Sequence, residues 1–245
     1  MISVIVPYYN QRAMLHKQID TWRQYAPHVL SVLRFIVVDD GSPVPAEFVS
    51  ILGTRLYRID IDIPWNRAGA RNLGATVAET EWLLQMDTDH ILPPDAAEAL
   101  VGRLNDYSKK TWYRFRRFRV GAADETRMKD KIPREQRFGE IKPHIDSYLC
   151  TREMYWKAGG YNEDFSGCLG GGSPFLRELE KVGGKPRELP PDTFLHVHTR
   201  DSVPDASASL DRDRSEYKRR SEALTRAGKI KGHPPYLRFP WHRVL

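Results

Sequence analysis

Trp82-Leu83-Leu84-Gln85-Met86 is a mostly apolar run as long as one buried strand, and it stops at two carboxylates in Asp87-Thr88-Asp89-His90. Ile91-Leu92-Pro93-Pro94-Asp95 then reads as a turn and the start of an alanine-rich helix. A buried strand that ends in acids and hands over to a helix fits an open α/β sheet, whose ligand sites lie beyond the carboxyl ends of its strands. If the chain stays extended through Thr88, Asp87 and Asp89 project to the same side, because side chains alternate along a strand. Two such carboxylates repel each other unless a cation lies between them, and a divalent metal carrying a diphosphate would supply one. The plainer reading makes Asp87 or Asp89 only a turn residue.

The preceding chain repeats the pattern. Ile2-Ser3-Val4-Ile5-Val6 reads as a strand stopped by Pro7, and a helix follows with apolar residues at Met14, Leu15, Ile19 and Trp22. Leu33 to Val38 is a second strand, also ending in acids at Asp39-Asp40-Gly41-Ser42. Leu56 to Ile61 alternates as a third, and Asn66 to Ala78 reads as a helix before the strand at Trp82. Strands alternating with helices predict an α/β fold, with a mostly parallel central sheet and helices on both faces. Three strand ends then bring Tyr8, Asn10, Asp39, Asp40, Asp87 and Asp89 to one rim.

A chain of 245 residues can bury a sizeable core as one domain with an appendage. The predicted division is a body at 1–201 and a basic, proline-containing extension at 202–245 that packs back on it. No apolar run approaches the roughly 18 residues of a membrane span, and no basic-then-apolar leader opens the chain, so the expected location is cytoplasmic. Cys150 and Cys168 have no metal-type spacing and are expected to be reduced. The net charge of +6 favours anionic partners such as nucleotide phosphates, nucleic acid or an acidic lipid surface.

Beyond Asn105 the texture changes. Trp112-Tyr113-Arg114-Phe115-Arg116-Arg117-Phe118-Arg119 interleaves aromatics with arginines, which can stack bases and track phosphates. The plainer reading is an amphipathic strand with its arginines in solvent. Residues 121–147 read as a polar excursion. Ser147 to Lys157 resumes as strand then helix, and Gly167 to Gly172 reads as a loop. Ser173 and Pro174 read as N-cap and first position of a further helix. Phe194 to His198 is a last short strand. Glu216/Arg220 and Glu222/Arg226 are i,i+4 pairs in a basic, solvated helix.

Several of these stretches together resemble a nucleotide-sugar-dependent glycosyltransferase of the GT-A fold, family-two type, over roughly residues 1–200. They are Val4-Ile5-Val6-Pro7-Tyr8-Tyr9-Asn10, Val38-Asp39-Asp40-Gly41-Ser42, Ala70-Arg71-Asn72-Leu73-Gly74, Asp87-Thr88-Asp89 and Gly159-Gly160-Tyr161-Asn162-Glu163-Asp164-Phe165. Trp65-Asn66-Arg67-Ala68 and His198-Thr199-Arg200-Asp201 are similar to segments of β-1,4-galactosyltransferases. The resemblance implies a UDP-sugar donor, held by Pro7, Tyr8, Asn10, Asp39, Asn66, Arg67, Arg71, Asp87 and Thr88. Asp39 would accept from the uracil N–H, Tyr8 would offer the ring a flat face, and Arg67 with Arg71 would meet the diphosphate. It implies a metal held by Asp87, Asp89 and His198. Mixed carboxylate and imidazole ligation suits Mn²⁺, with Mg²⁺ as the hard-oxygen alternative.

The chain departs from the family at the catalytic base. The family's Gly-Gly-Glu-Asp is here Gly170-Gly171-Gly172-Ser173-Pro174, without a carboxylate. Asp164 is the expected base, with Glu163 and Glu178 as competitors, and retaining chemistry needs no protein base at all. Cys168-Leu169 stands where galactosyltransferases carry tryptophan. The acceptor is a hydroxyl of a glycan or lipid-linked glycan, or of a modified nucleic-acid base reached through Arg114, Arg116, Arg117 and Arg119. A non-catalytic nucleotide-sugar binder that lost its base is the rival reading.

Overall fold

The computed structural model describes residues 1–47, 54–120, 139–200, 202–206, 213–234 and 236–245. Strands β1 (Ile2–Tyr8), β2 (Leu33–Asp39), β3 (Arg55–Ile59) and β4 (Trp82–Gln85) lie parallel in the order β4-β1-β2-β3. β5 (His90–Ile91) leaves this sheet for a second, smaller one. β6 (Tyr113–Arg114), β9 (Tyr148–Thr151) and β10 (Arg187–Glu188) extend the large sheet beyond β4, with β9 antiparallel to β4. β12 (Trp241–Arg243) closes its other edge, antiparallel to β3. The small sheet joins β5, β7 (Arg116–Val120), β8 (Glu140–Ile141) and β11 (Phe194–His198).

The helices are α1 (Arg12–Trp22), α2 (Pro27–Val32), α3 (Arg67–Val77), α4 (Pro94–Gly102), α5 (Arg152–Lys157), α6 (Gly172–Gly183) and α7 (Ser215–Arg226). Side-chain alternation splits the strands between two cores. Ile2, Val4, Val6 and Tyr8 of β1 and Trp82, Leu84 and Met86 at β4 enter one core with Leu15, Ile19 and Trp22 of α1. Ile5 and Leu83 enter the other with Leu73 of α3. Gly74 lets α3 lie close to β1, since a Cβ there would sit 2.3 Å from Ile5 Cγ2.

The expected α/β layering is what the chain adopts, and local differences have local causes. β1 runs through Pro7 to Tyr8, because proline is missing only a donor and φ ≈ −65° is compatible with extended chain. α6 begins at Gly172, capped by Gly171 at φ +93°, so Ser173 lies inside the helix rather than at its cap. β11 coincides with the strand read at Phe194 to His198, whereas β5, β8 and β12 are runs of two or three residues, too short for periodicity to register. Of the polar excursion read at 121–147, residues 121–138 lie outside the described residues, as does Asp201. Both cysteines are free and buried. Among the described residues no helix is long and apolar enough to cross a membrane.

Candidate functional site

Asp87, Thr88 and Asp89 make the crossing from the large sheet to the small one. β4 ends at Gln85, and the chain turns so that His90 N–H donates to Asp87 C=O at 3.0 Å. The extended geometry expected through Thr88 is therefore absent. Thr88 Oγ1 donates to Pro7 C=O at the end of β1. Gln18, fully buried on α1, donates from Nε2 to Thr88 C=O at 2.9 Å and also to His90 C=O.

Alternation puts Gln85 and Asp87 on the α3 side of β4, where Arg71 meets both. Arg71 is fully buried and donates to Gln85 Oε1 at 3.1 Å and to Asp87 Oδ1. Arg71 thus braces the turn from beneath, and its expected reach to a diphosphate is not available to it in this arrangement. Asp87 Oδ2 lies 3.1 Å from His144 Nδ1 and 3.9 Å from His90 Nδ1. Burial works against the Asp87 charge, but His144 and Arg71 hold its carboxyl well below the usual carboxylate range. Asp89 behaves oppositely: burial and then the charge of Asp87 push it up to about 7.

Asp87, His90 and His144 bring ligand atoms within 4.8 Å of one another, close enough to share a cation. His90 is already held at both nitrogens, with Nε2 2.9 Å from Arg117 Nη1 and Nδ1 2.8 Å from Ser147 Oγ. Arg117 can only donate, so the proton of His90 sits on Nδ1, and burial pushes its pKa down to about 3. Asp89 and His198 are neighbours across the small sheet, since His198 N–H donates to Asp89 C=O at 2.9 Å. His198 Nδ1 lies 3.1 Å from Ser202 Oγ, the kind of contact that orients a ligating imidazole. The expected ligands Asp87, Asp89 and His198 are of the carboxylate and imidazole types that Mn²⁺ or Mg²⁺ accepts, whereas the ligand atoms seen to converge among the described residues are those of Asp87, His90 and His144.

At the end of β2 the two acids differ. Asp39 Oδ1 accepts from Ser42 N–H at 2.9 Å, and Oδ2 accepts from Ala46 N–H at 2.9 Å and Arg58 Nη1 at 2.5 Å. Its side chain is 2% exposed, so the expected uracil acceptor is instead folding its own loop. Asp40 is buried as well, yet its Oδ1 has no hydrogen-bond partner. Burial and then Asp39 raise the Asp40 carboxyl well above the usual range, partly offset by Asn66. Tyr8 lies in the core at 2% exposure and offers no flat face to a base, whereas its neighbour Tyr9 is half-buried and donates from its hydroxyl to Asp62 at 3.0 Å. Asn10 is exposed with φ +48°, its N–H on Ser42 Oγ at 2.9 Å.

Asn66 caps α3 by accepting from Gly69 N–H at 3.3 Å, and its Nδ2 is buried without a partner beside Asp40. Arg67 follows at the first turn of α3. It donates to Asp146 Oδ2 at 2.9 Å and Gly170 C=O at 3.4 Å, with its side chain 24% exposed. Asp146 also accepts from Tyr161 Oη at 3.0 Å.

Asp164 is not set up as a base. Its Oδ1 accepts from Arg238 Nη2 at 2.7 Å and its Oδ2 lies 3.0 Å from His233 Nε2. Burial would raise its pKa, but those two partners pull it below the usual range and make it a weak proton acceptor. Glu163 accepts from Asn72 Nδ2 at 2.8 Å and Leu237 N–H at 2.9 Å, and Glu178 pairs with Lys181 at 2.7 Å. The arginine stripe does not form one basic face either. Arg117 is buried against His90 and Lys142 C=O, Arg116 pairs with Glu140 at 2.6 Å, and Arg114 lies over the Trp112 ring, leaving Arg119 exposed.

Sequence reading passed over Gln18, His90, His144, Asp146 and Ser147, and it gave Arg117 only to a nucleic-acid stripe. Gln18 carried a signal, because it lies on the helix face of Leu15, Ile19 and Trp22 and so had to be buried. His144, Asp146 and Ser147 reach the rim because β9 is antiparallel to β4 and its first residue, Tyr148, stands opposite Gln85.

This chain matches the family model described as "Glycosyl transferase family 2" over residues 3–168. A comparison with curated protein sequences returns no match. The fold is similar to that of the crystal structure of S. aureus TarS 1–349, with a TM-score of 0.62 at 13% identity over 92% of this chain and 73% of that one. It is also similar to the crystal structure of TarS 1–349 in complex with UDP-GlcNAc, with a TM-score of 0.64 at 12% identity over 91% of this chain and 65% of that one. With the parallel sheet, the acidic strand ends and the Asp-x-Asp turn at its rim, these matches make the chain a glycosyltransferase of GT-A fold that belongs to glycosyl transferase family 2.

Proposed function

We propose that the protein moves a sugar from a UDP-sugar to a hydroxyl of a glycan or lipid-linked glycan, in the cytoplasm and with a divalent metal. The observation that carries this reading is the braced Asp87-Thr88-Asp89 turn at the carboxyl rim, facing a strand end where Asp40 Oδ1 is buried and unpartnered. That a similar fold takes up UDP-GlcNAc in S. aureus TarS supports the choice of donor.

In this scheme Asp40 Oδ1 accepts the uracil N–H, and Asp39 shapes the loop that holds Asp40 in place. Pro7 and Asn10 border the base, Tyr9 closes one side, and Asn66 Nδ2 faces a donor oxygen. Arg67, at the start of α3, meets the diphosphate with two donors. Asp87, Asp89 and His198 would hold Mn²⁺ or Mg²⁺, which neutralises charge developing on the leaving diphosphate. Residues 202–245 act as an extension that steadies the body from outside. The glycan acceptor is favoured over nucleic acid because Arg117 is buried and Arg116 is paired. Calorimetry with UDP-GlcNAc, UDP-glucose and UDP-galactose tests the reading: at least one should bind with Mn²⁺ and weaken in EDTA. Failure of all three would overturn it.

A further inference from the structure

The glycine run Gly170-Gly171-Gly172 leaves room for groups that come from elsewhere in the chain. A side chain begun at Gly170 would place its Cβ 2.1 Å from the Tyr217 ring, and one begun at Gly172 would place it 2.5 Å from Asp146 Oδ1. A carboxylate therefore does stand at the start of α6, but it arrives from the approach to β9. Asp146 is 1% exposed, with Oδ1 on the Tyr161 hydroxyl at 3.0 Å and Oδ2 on Arg67 Nη1 at 2.9 Å. The other acids near this loop are committed: Asp164 to Arg238 and His233, Glu163 to Asn72 and Leu237, Glu178 to Lys181.

We propose that Asp146 is the catalytic base of an inverting transfer, held in reserve by Arg67 until the donor binds. The proposal rests on the UDP-sugar reading above. Arg67 is the more exposed partner of the pair and stands at the start of α3. A diphosphate arriving there offers its guanidinium a second anion, and as Arg67 turns to it Asp146 Oδ2 loses its donor. The acceptor hydroxyl then gives its proton to Oδ2 while its oxygen bonds to the anomeric carbon. The bond from that carbon to the diphosphate breaks, and its electron pair leaves with UDP. Tyr161 keeps the carboxylate oriented through Oδ1.

The experiment follows UDP release from UDP-GlcNAc, UDP-glucose and UDP-galactose by the protein, with water as acceptor and with added azide, which attacks as an anion and has no proton to lose. Asp146→Asn should lower water-dependent release by about 100-fold or more, the scale of general-base catalysis. UDP affinity by calorimetry should be equal to the parent's or tighter, since Arg67 no longer has to leave a charged partner, and azide-dependent release should stay near the parent's. Tyr161→Phe, which removes only the hydroxyl on Oδ1, should lower the water reaction more than the azide reaction, and it carries the test if Asp146→Asn does not fold. Parent-like hydrolysis by a folded Asp146→Asn overturns the assignment, and so does an equal fall of both reactions, which would make Asp146 a positioning residue. A parent that binds and hydrolyses none of the three donors removes the UDP-sugar reading and this proposal together.

Discussion

The guanidinium of Arg71, with no exposed surface, donates to the carboxylate of Asp87 across the gap between α3 and the end of β4. The Asp-x-Asp turn is therefore anchored from inside the protein as well as from the rim. Removing one partner of a buried pair leaves the other uncompensated, at a cost of about 3–5 kcal/mol. Arg71→Met should lower unfolding free energy in urea by about that much, and by more than Arg67→Met, whose side chain is partly exposed. Equal costs for the two would show that Arg71 carries no special structural load.

On the proposed reading, Asp39 serves folding and Asp40 recognition. Asp39→Asn weakens the hold on Arg58 and the Ser42 and Ala46 N–H groups, so its main effect should be a lower melting temperature. Asp40→Ala should leave the loop folded but lower a preference for UDP over ADP, by about 2- to 10-fold for a net hydrogen bond of 0.5–1.5 kcal/mol. Calorimetry on both variants decides between them. Loss of UDP preference in Asp39→Asn with none in Asp40→Ala would reverse the assignment.

The parallel strands and their acidic ends were legible because each is a run of apolar residues long enough for its period to show, from Val4 to Val6 and from Phe35 to Val38. The partners of those ends were not. His144 and Asp146 reach Asp87 and Arg67 through the antiparallel direction of β9, and a four-residue strand carries no sign of its direction. Asp39 and Asp40 are indistinguishable as letters, and only the folded loop shows that both oxygens of one are hydrogen-bonded while Oδ1 of the other is buried without a partner. Asp164 looked free because its partners, His233 and Arg238, lie about seventy residues away in sequence.

Those partners make Asp164 a fastening for the C-terminal segment. Arg238 and His233 bind its two oxygens, Glu163 receives Leu237 N–H, and β12 pairs with β3. A carboxyl whose pKa is lowered by folding adds stability above its unfolded pKa, and that stability is lost as pH falls through the lower folded value. Asp164→Asn should thus lower the melting temperature at pH 7 and matter less as pH falls below the usual carboxylate range. Its turnover of UDP-sugar should stay close to the parent's. A loss of turnover by orders of magnitude in a folded Asp164→Asn would restore it as the base.

The proposed metal role of Asp89 would tie metal binding to pH in a way stability can read. Burial, with the charge of Asp87, pushes it up to about 7, above the roughly 3.9 of an unfolded aspartate. A carboxyl with a raised folded pKa favours the fold at low pH, and its contribution is lost as pH rises through the folded value. Without metal, the ionised Asp89 should therefore cost stability between about pH 4 and pH 7. A divalent ion shared with Asp87 prefers the ionised form, and an ion that binds only the folded protein stabilises it by mass action. Mn²⁺ should consequently raise the melting temperature more at pH 8 than at pH 5.5, and Asp89→Asn should remove most of that difference. His198→Ala, which truncates a buried side chain, should lower metal-free melting somewhat but reduce the Mn²⁺ effect by more. A melting temperature indifferent to Mn²⁺ at both pH values would rule out a metal at this turn.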